Sequence, residues 1–217
     1  MLKITYAVPA TFSLKKYKDA HLCARTYEYP MISTIRGAIL GSIIERKGRE
    51  KAEELFHKVK NAQIFVQYPK RFHINQQITK RRTNKSYLNE NKKDFINYSG
   101  FFTVGVREVA VLDKITFYID ESIEDIEEIL GNIRRIGDSE SLVFLENIEK
   151  VDCMENVLVE WNESMGYDVN LYELYDWKTT IDKNTKESDF YNYYMYSDKI
   201  KSEYTRRNCF VKDKINL

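Results

Sequence analysis

Three histidines and two crowded sets of cations are the residues of this 217-residue chain best equipped for chemistry. His21 and His73 sit among lysines, arginines and aromatic residues. That surrounding supplies what metal-free RNA cleavage needs: a proton acceptor for the 2′-hydroxyl, a donor for the leaving oxygen and cations for the phosphate. His57 falls on an amphipathic helical pattern and reads as a surface residue. No ligand spacing joins the three, and Cys23, Cys153 and Cys209 form no CxxC pair, so no metal site is expected. The P-loop, GxSxG, HExxH and GxGxxG motifs are absent. No cofactor is expected, and no residue is singled out as catalytic.

The cations form the stronger pattern. A net charge of +1 conceals segregation. Lys15, Lys16, Lys18 and Arg25 precede one conspicuous segment, and Lys70, Arg71, Lys80, Arg81, Arg82, Lys85, Lys92 and Lys93 crowd another around a lone Glu90. Acidic residues collect instead between Asp120 and Glu128 and between Glu140 and Glu163. Segregation of this kind points to an anionic partner, and interspersed aromatic residues suit single-stranded RNA, whose affinity for such a segment falls with salt.

These residues need elements to hold them. The stretch from Thr26 to Ile44 reads as an extended approach through Pro30, then a helix capped by Ser33 or Thr34, with Ile35, Ile39, Leu40, Ile43 and Ile44 on one face. Gly37 and Gly41, each costing about 1 kcal/mol inside a helix, suggest a close approach to the backbone. Arg36 opposes the dipole in the first turn, which suggests an anion nearby. Residues 2–9 alternate as a first strand, Gly48 separates a second helical piece over Arg49 to Lys60, and Gln63 to Tyr68 is a short strand. Lys70 to Tyr98 loses periodicity and reads as a projecting arm. Strands follow over Gly100 to Leu112 and Lys114 to Ile119. A helix capped by Ser122, with Asp125 at the capping-box position, then buries Ile123, Ile126, Ile129, Leu130 and Ile133, before a strand over Leu142 to Leu145.

The order predicts an α+β fold: a ferredoxin-like (RRM-like) βαββαβ core with both helices on one sheet face and the other face open to RNA. The expected organisation is a palm over 1–151 with a basic arm at about 69–98, and a smaller β-rich extension over 152–217 carrying strands near 157–161, 169–175 and 208–212. The tyrosine run Phe190 to Tyr196 is a candidate base-stacking patch. At 43% apolar content the chain can bury an ordinary core, no run of 18 apolar residues could span a membrane, and the scattered thiols suit a reducing compartment. A cytoplasmic location and no membrane partner are expected.

The segment Thr26-Tyr27-Glu28-Tyr29-Pro30, followed by Ser33-Thr34-Ile35-Arg36-Gly37-Ala38, and the later run Arg107 to Tyr118 resemble the fifth CRISPR-associated protein family, Cascade subunits of the RAMP superfamily. The resemblance covers the first strand through about Val151. It departs at Met31-Ile32, where the family often has a second proline, and at the turn 137–141, which holds one glycine. It implies that the arm is a thumb, and that the protein grips the repeat-derived 5′ tag of a CRISPR RNA and caps one end of a type I complex. The implied partners are that RNA, the large Cascade subunit and the first backbone subunit, with target DNA met indirectly through the complex. The RNA-binding residues expected from the basic segments and the carried-over motif are Arg25, Ser33, Thr34, Arg36, Gly37, Lys70, Arg71, His73, Lys80, Arg81, Arg82 and Lys85. One branch of the family cleaves precursor RNA, but no compact His-Tyr-Lys arrangement marks that branch here. A metal-independent endoribonuclease and a RAMP-like RNA-binding protein outside CRISPR immunity stand as alternatives.

Overall fold

In the computed structural model, the described residues are 1–16, 23–82, 102–138, 140–162, 164, 169–177 and 204–217. His21, Lys85 and the tyrosine run at 190–196 lie outside them. The elements in chain order are β1 (Leu2–Ala7), β2 (Cys23–Ala24), α1 (Ile32–Lys47), α2 (Arg49–Asn61), β3 (Ile64–Val66), β4 (Phe72–Arg82), β5 (Phe102–Leu112), β6 (Lys114–Ile119), α3 (Ile126–Gly131), β7 (Phe144–Lys150), β8 (Cys153–Glu160), β9 (Tyr172–Trp177) and β10 (Tyr204–Asn216). The result is a mixed α/β molecule with antiparallel core pairing and few helices.

Alternation in β1 sends Leu2, Ile4 and Tyr6 inward and leaves Lys3 and Thr5 on the opposite face. The central sheet runs β3-β6-β1-β7, with every neighbouring pair antiparallel. Ile35, Ile39 and Ile43 of α1, Leu55 and Phe56 of α2 and Ile129 and Leu130 of α3 close one main core with Ile4 and Phe117 of the sheet. Gly48, at φ +84, separates α1 from α2 as its position in the sequence suggests.

Two helix starts differ from expectation. In α1 the cap position falls on Met31, extended at ψ 153 with no side-chain cap. Pro30 disfavours the helical region for the residue before it and leaves Met31 free to begin the turn, so the Met31 carbonyl accepts from the N–H groups of Thr34 (3.0 Å) and Ile35 (3.1 Å). Ser33 and Thr34 therefore sit inside the first turn and cap nothing. In the later helix, Ser122 is spent on Asp120: Asp120 Oδ1 accepts from the Ser122 N–H at 3.1 Å and from its hydroxyl. The regular helix starts only after Asp125, which is left-handed at φ 54, and lasts six residues. The five apolar residues expected inward there are all buried.

The arm is larger than its basic composition indicates. β4 and β5 pair antiparallel along all 11 residues of β4, from Phe72 opposite Leu112 to Arg82 opposite Phe102. Residues 102–112 are thus the returning leg of a hairpin, and only Lys114–Ile119 joins the central sheet. Two adjacent β runs look alike in sequence, and the break falls at Asp113, whose carbonyl accepts at 3.1 Å from the N–H of Val8, the residue that follows β1.

The C-terminal strands form a second sheet, β8-β10-β9, antiparallel throughout. It wraps the β3 edge, with Gln67 bridged to Val157. On one side Leu158, Leu174, Trp177 and Cys209 enter the main core. On the other, Met154 and Val157 cover Tyr118 on the sheet face that lies away from the helices. That face was expected to be an open stacking platform. Tyr118 is 1% exposed there, and the neighbouring cations are paired, Lys3 to Glu149 at 2.6 Å and Lys114 to Glu146 at 2.7 Å.

Candidate nucleic-acid interface

Arg36 is engaged inside the fold. Its Nε donates to Asp176 Oδ1 at 2.8 Å, Nη2 donates to Oδ2 at 3.1 Å, and Nη1 donates to the Val59 carbonyl. With both ends of the pair buried, the anion that the dipole argument demands is Asp176 on β9, and no guanidinium edge is left for a phosphate. This corrects the RNA-facing role expected for Arg36.

The rest of the carried-over motif meets open space. Thr34, Gly37, Ala38 and Gly41 form one wall of a groove of about 640 Å³, opposite Asn132, Arg134, Arg135 and Gly137. A Cβ at Gly37 would meet nothing within 4 Å. Among the described residues the glycine therefore admits no neighbouring element; it leaves the wall of a groove low. Arg134 and Arg135 are exposed and make no ion pair among the described residues. Their sequence position suggested a helix C-terminus, and only the packing of α1 beside the turn that follows α3 reveals that they face Gly37. Ser33 is half-buried beside this wall.

The remaining cations lie elsewhere. Arg25 is exposed just after β2. Lys70 and Arg71 are exposed at the root of the arm, Arg71 standing 3.7 Å from the Asp113 carboxylate. His73 is exposed on β4 opposite Val111 and makes no hydrogen bond or ion pair among the described residues. The register places Lys80, Arg81 and Arg82 at the distal end of the paired hairpin, opposite Val104, Thr103 and Phe102. The structure thus groups Thr34 and Gly37 at the groove, with Ser33 next to them in the first turn of α1, and Lys70, Arg71, His73 and Lys80 to Arg82 along the β4–β5 hairpin. Among the described residues, no group of three His, Cys, Asp or Glu side chains could hold a metal ion.

Tyrosines lock the arm to the body. Tyr68, at its root, has ring centroids 4.6 Å from Tyr172, 5.7 Å from Tyr29 and 6.1 Å from Phe72. Tyr29 donates its hydroxyl to the Glu173 carbonyl at 2.8 Å, and Tyr27 donates to the Glu173 carboxylate at 3.1 Å. Burial, with Glu28 close by, pushes the Tyr29 and Tyr68 hydroxyls well above the usual tyrosine range, so they remain neutral donors. These rings serve as packing between segments.

No family model matches the chain. It is 25% identical over 154 residues to the CRISPR-associated protein Cas5 of Archaeoglobus fulgidus, a match covering 70% of this chain and 65% of that relative. Among solved structures it is similar over its whole length to a chain of a CRISPR RNA-guided surveillance complex, with TM-score 0.55, 12% identity and 91% of that chain covered. A CRISPR protein from Archaeoglobus fulgidus aligns over 97% of this chain and 85% of its own, at 14% identity and TM-score 0.47. In sequence this chain is thus similar to a CRISPR-associated Cas5 protein, and in fold to a chain of a CRISPR RNA-guided surveillance complex.

Proposed function

We propose that the protein is a subunit of a type I Cascade surveillance complex that grips the 5′ repeat-derived tag of the CRISPR RNA and caps the backbone of the complex. The observation carrying this reading is the β4–β5 hairpin. It is a two-stranded ribbon on the order of 35 Å long at the usual strand rise, beginning just after Lys70 and Arg71 and carrying Lys80-Arg81-Arg82 at the far end of its pairing. In this reading the hairpin is the thumb, and the β3-β6-β1-β7 sheet with α1, α2 and α3 is a ferredoxin-like palm. Strand order and antiparallel pairing support that assignment. The groove beside Gly37, with Arg134 and Arg135, offers the strand a second contact. The large subunit and the first backbone subunit are the protein neighbours, and target DNA is met through the assembled complex.

The test is guide retention by the purified chain in the presence of EDTA, using a tag-bearing guide and precursor repeat RNA. Retention of the guide uncut, with affinity falling steeply as salt rises and falling again on charge reversal of Lys80-Arg81-Arg82, supports the reading. Cleavage at a fixed repeat position would instead establish an endoribonuclease, and indifference to both RNAs would favour a partner outside CRISPR immunity.

A further inference from the structure

At the root of the arm lies a second concavity, a cleft of about 440 Å³, within the range that encloses small ligands. Its floor is the outer face of the central sheet, where the Thr5 and Thr116 hydroxyls stand 3.5 Å apart. One wall is the arm root from Gln67 to Arg71, and Glu155 of β8 stands on another. Asn156, left-handed at φ +49, directs its carbonyl to the Tyr68 N–H at 2.7 Å and thereby fixes β8 against the arm root. Here the Lys70 ammonium, the Gln67 amide and the Glu155 carboxylate make no hydrogen bond and no salt bridge among the described residues, and Arg71 has only Asp113 at 3.7 Å.

We propose that this cleft binds a single nucleotide. Lys70 and Arg71 take its phosphate, and the Glu155 carboxylate accepts hydrogen bonds from the amino-bearing edge of its base, with the Gln67 amide available beside it. A site for phosphate alone would gain nothing from a carboxylate on its wall. An ionised carboxylate accepts and cannot donate, so it favours guanine, adenine and cytosine, which carry exocyclic amines, over uracil, which presents two carbonyls around one N–H. The nucleotide is either one residue of a bound strand, which rests on the RNA-binding reading above, or a free mononucleotide.

Calorimetric titration of the full chain with GMP, AMP, CMP, UMP, inorganic phosphate and a tag-bearing guide tests this. The expected result is weaker binding of UMP and phosphate than of the three amine-bearing nucleotides. Glu155→Gln should erase that ranking, and Lys70→Glu should weaken every nucleotide about tenfold. Both residues are exposed, so unchanged melting temperatures serve as the fold control. Equal binding of phosphate and all nucleotides, or a ranking that survives Glu155→Gln, overturns the proposal. Guide retention that is unaltered by Glu155→Gln, without mononucleotide binding, overturns the cleft and leaves the tag-gripping reading standing. Ranked mononucleotide binding without guide retention supports the cleft as a free-nucleotide site and removes that reading.

Discussion

At Arg36 a cation occupies a turn where the helix dipole disfavours one, and the buried Asp176 carboxylate on β9 is what holds it there. Removing one partner of such a pair leaves an uncompensated buried charge, whereas replacing both with apolar residues of similar volume is far milder. Arg36→Ala is therefore expected to lower unfolding free energy by about 3–5 kcal/mol in a denaturant titration. Arg36→Met combined with Asp176→Leu should recover most of that loss. Buried hydroxyls and thiols also set the response to alkali. Burial pushes the Cys209 thiol from its ordinary 9.0 to about 12, and raises Tyr6 and Tyr29 well above 10.0. Above pH 9 the unfolded chain releases protons that the native chain retains, so stability present below that pH declines as pH rises toward and beyond 12. Tyrosinate absorbance followed beside circular dichroism should show these buried tyrosines ionising together with unfolding; ionisation near pH 10 in an intact fold would contradict it.

At the scale of elements, two glycines next to one groove carry opposite expectations. Gly37 faces open space, so Gly37→Ala should stabilise α1 by up to about 1 kcal/mol, and any loss of guide retention would then belong to the groove and not to the fold. Gly137 sits at φ +111, where an added Cβ would meet the Ser13 carbonyl at 2.9 Å and the Phe12 ring at 3.0 Å. Gly137→Ala should cost roughly 1–3 kcal/mol. Thermal melts of the two variants, compared with the parent, check both signs. The arm teaches a related lesson. Its outgoing leg was marked by charge, while its returning leg, apolar and β-branched, passed for a core strand because strand propensity does not report which sheet a strand joins.

For the whole molecule, the C-terminal sheet is held by the same core as the rest. Leu158, Leu174 and Trp177 pack into the main cluster, Trp177 stacks on Phe56 at 5.8 Å, and Asp176 closes on Arg36. Both tryptophans, Trp161 and Trp177, belong to that C-terminal part, whereas α1, α2 and α3, the helices among the described residues, belong to the first part. Tryptophan fluorescence and helical circular dichroism should therefore report one coincident unfolding transition. Two separated transitions would show the extension to be an independent unit. A chain ending at residue 151 is expected not to reach the native helical signal.

Local pattern was enough to place β1, α1, the Gly48 break, α2 and the inward residues of α3, because alternation, helical spacing and glycine conformation are properties of a few consecutive residues. It was also enough to separate a basic segment from an acidic remainder and, with the motif around Tyr29 to Ala38, to point to the likeness with a Cas5 protein. Tertiary structure alone decided the partners. Asp176 lies 140 residues from Arg36, β5 turned to β4 instead of the central sheet, and β8 covered the face that single-strand periodicity left bare. It also decided that Ser33 and Thr34 cap nothing, and that Gly37 borders a groove with Arg134 and Arg135. Whether an arginine faces solvent or a buried carboxylate depends on which distant strand packs against its helix, and residue type and spacing carry no record of that contact.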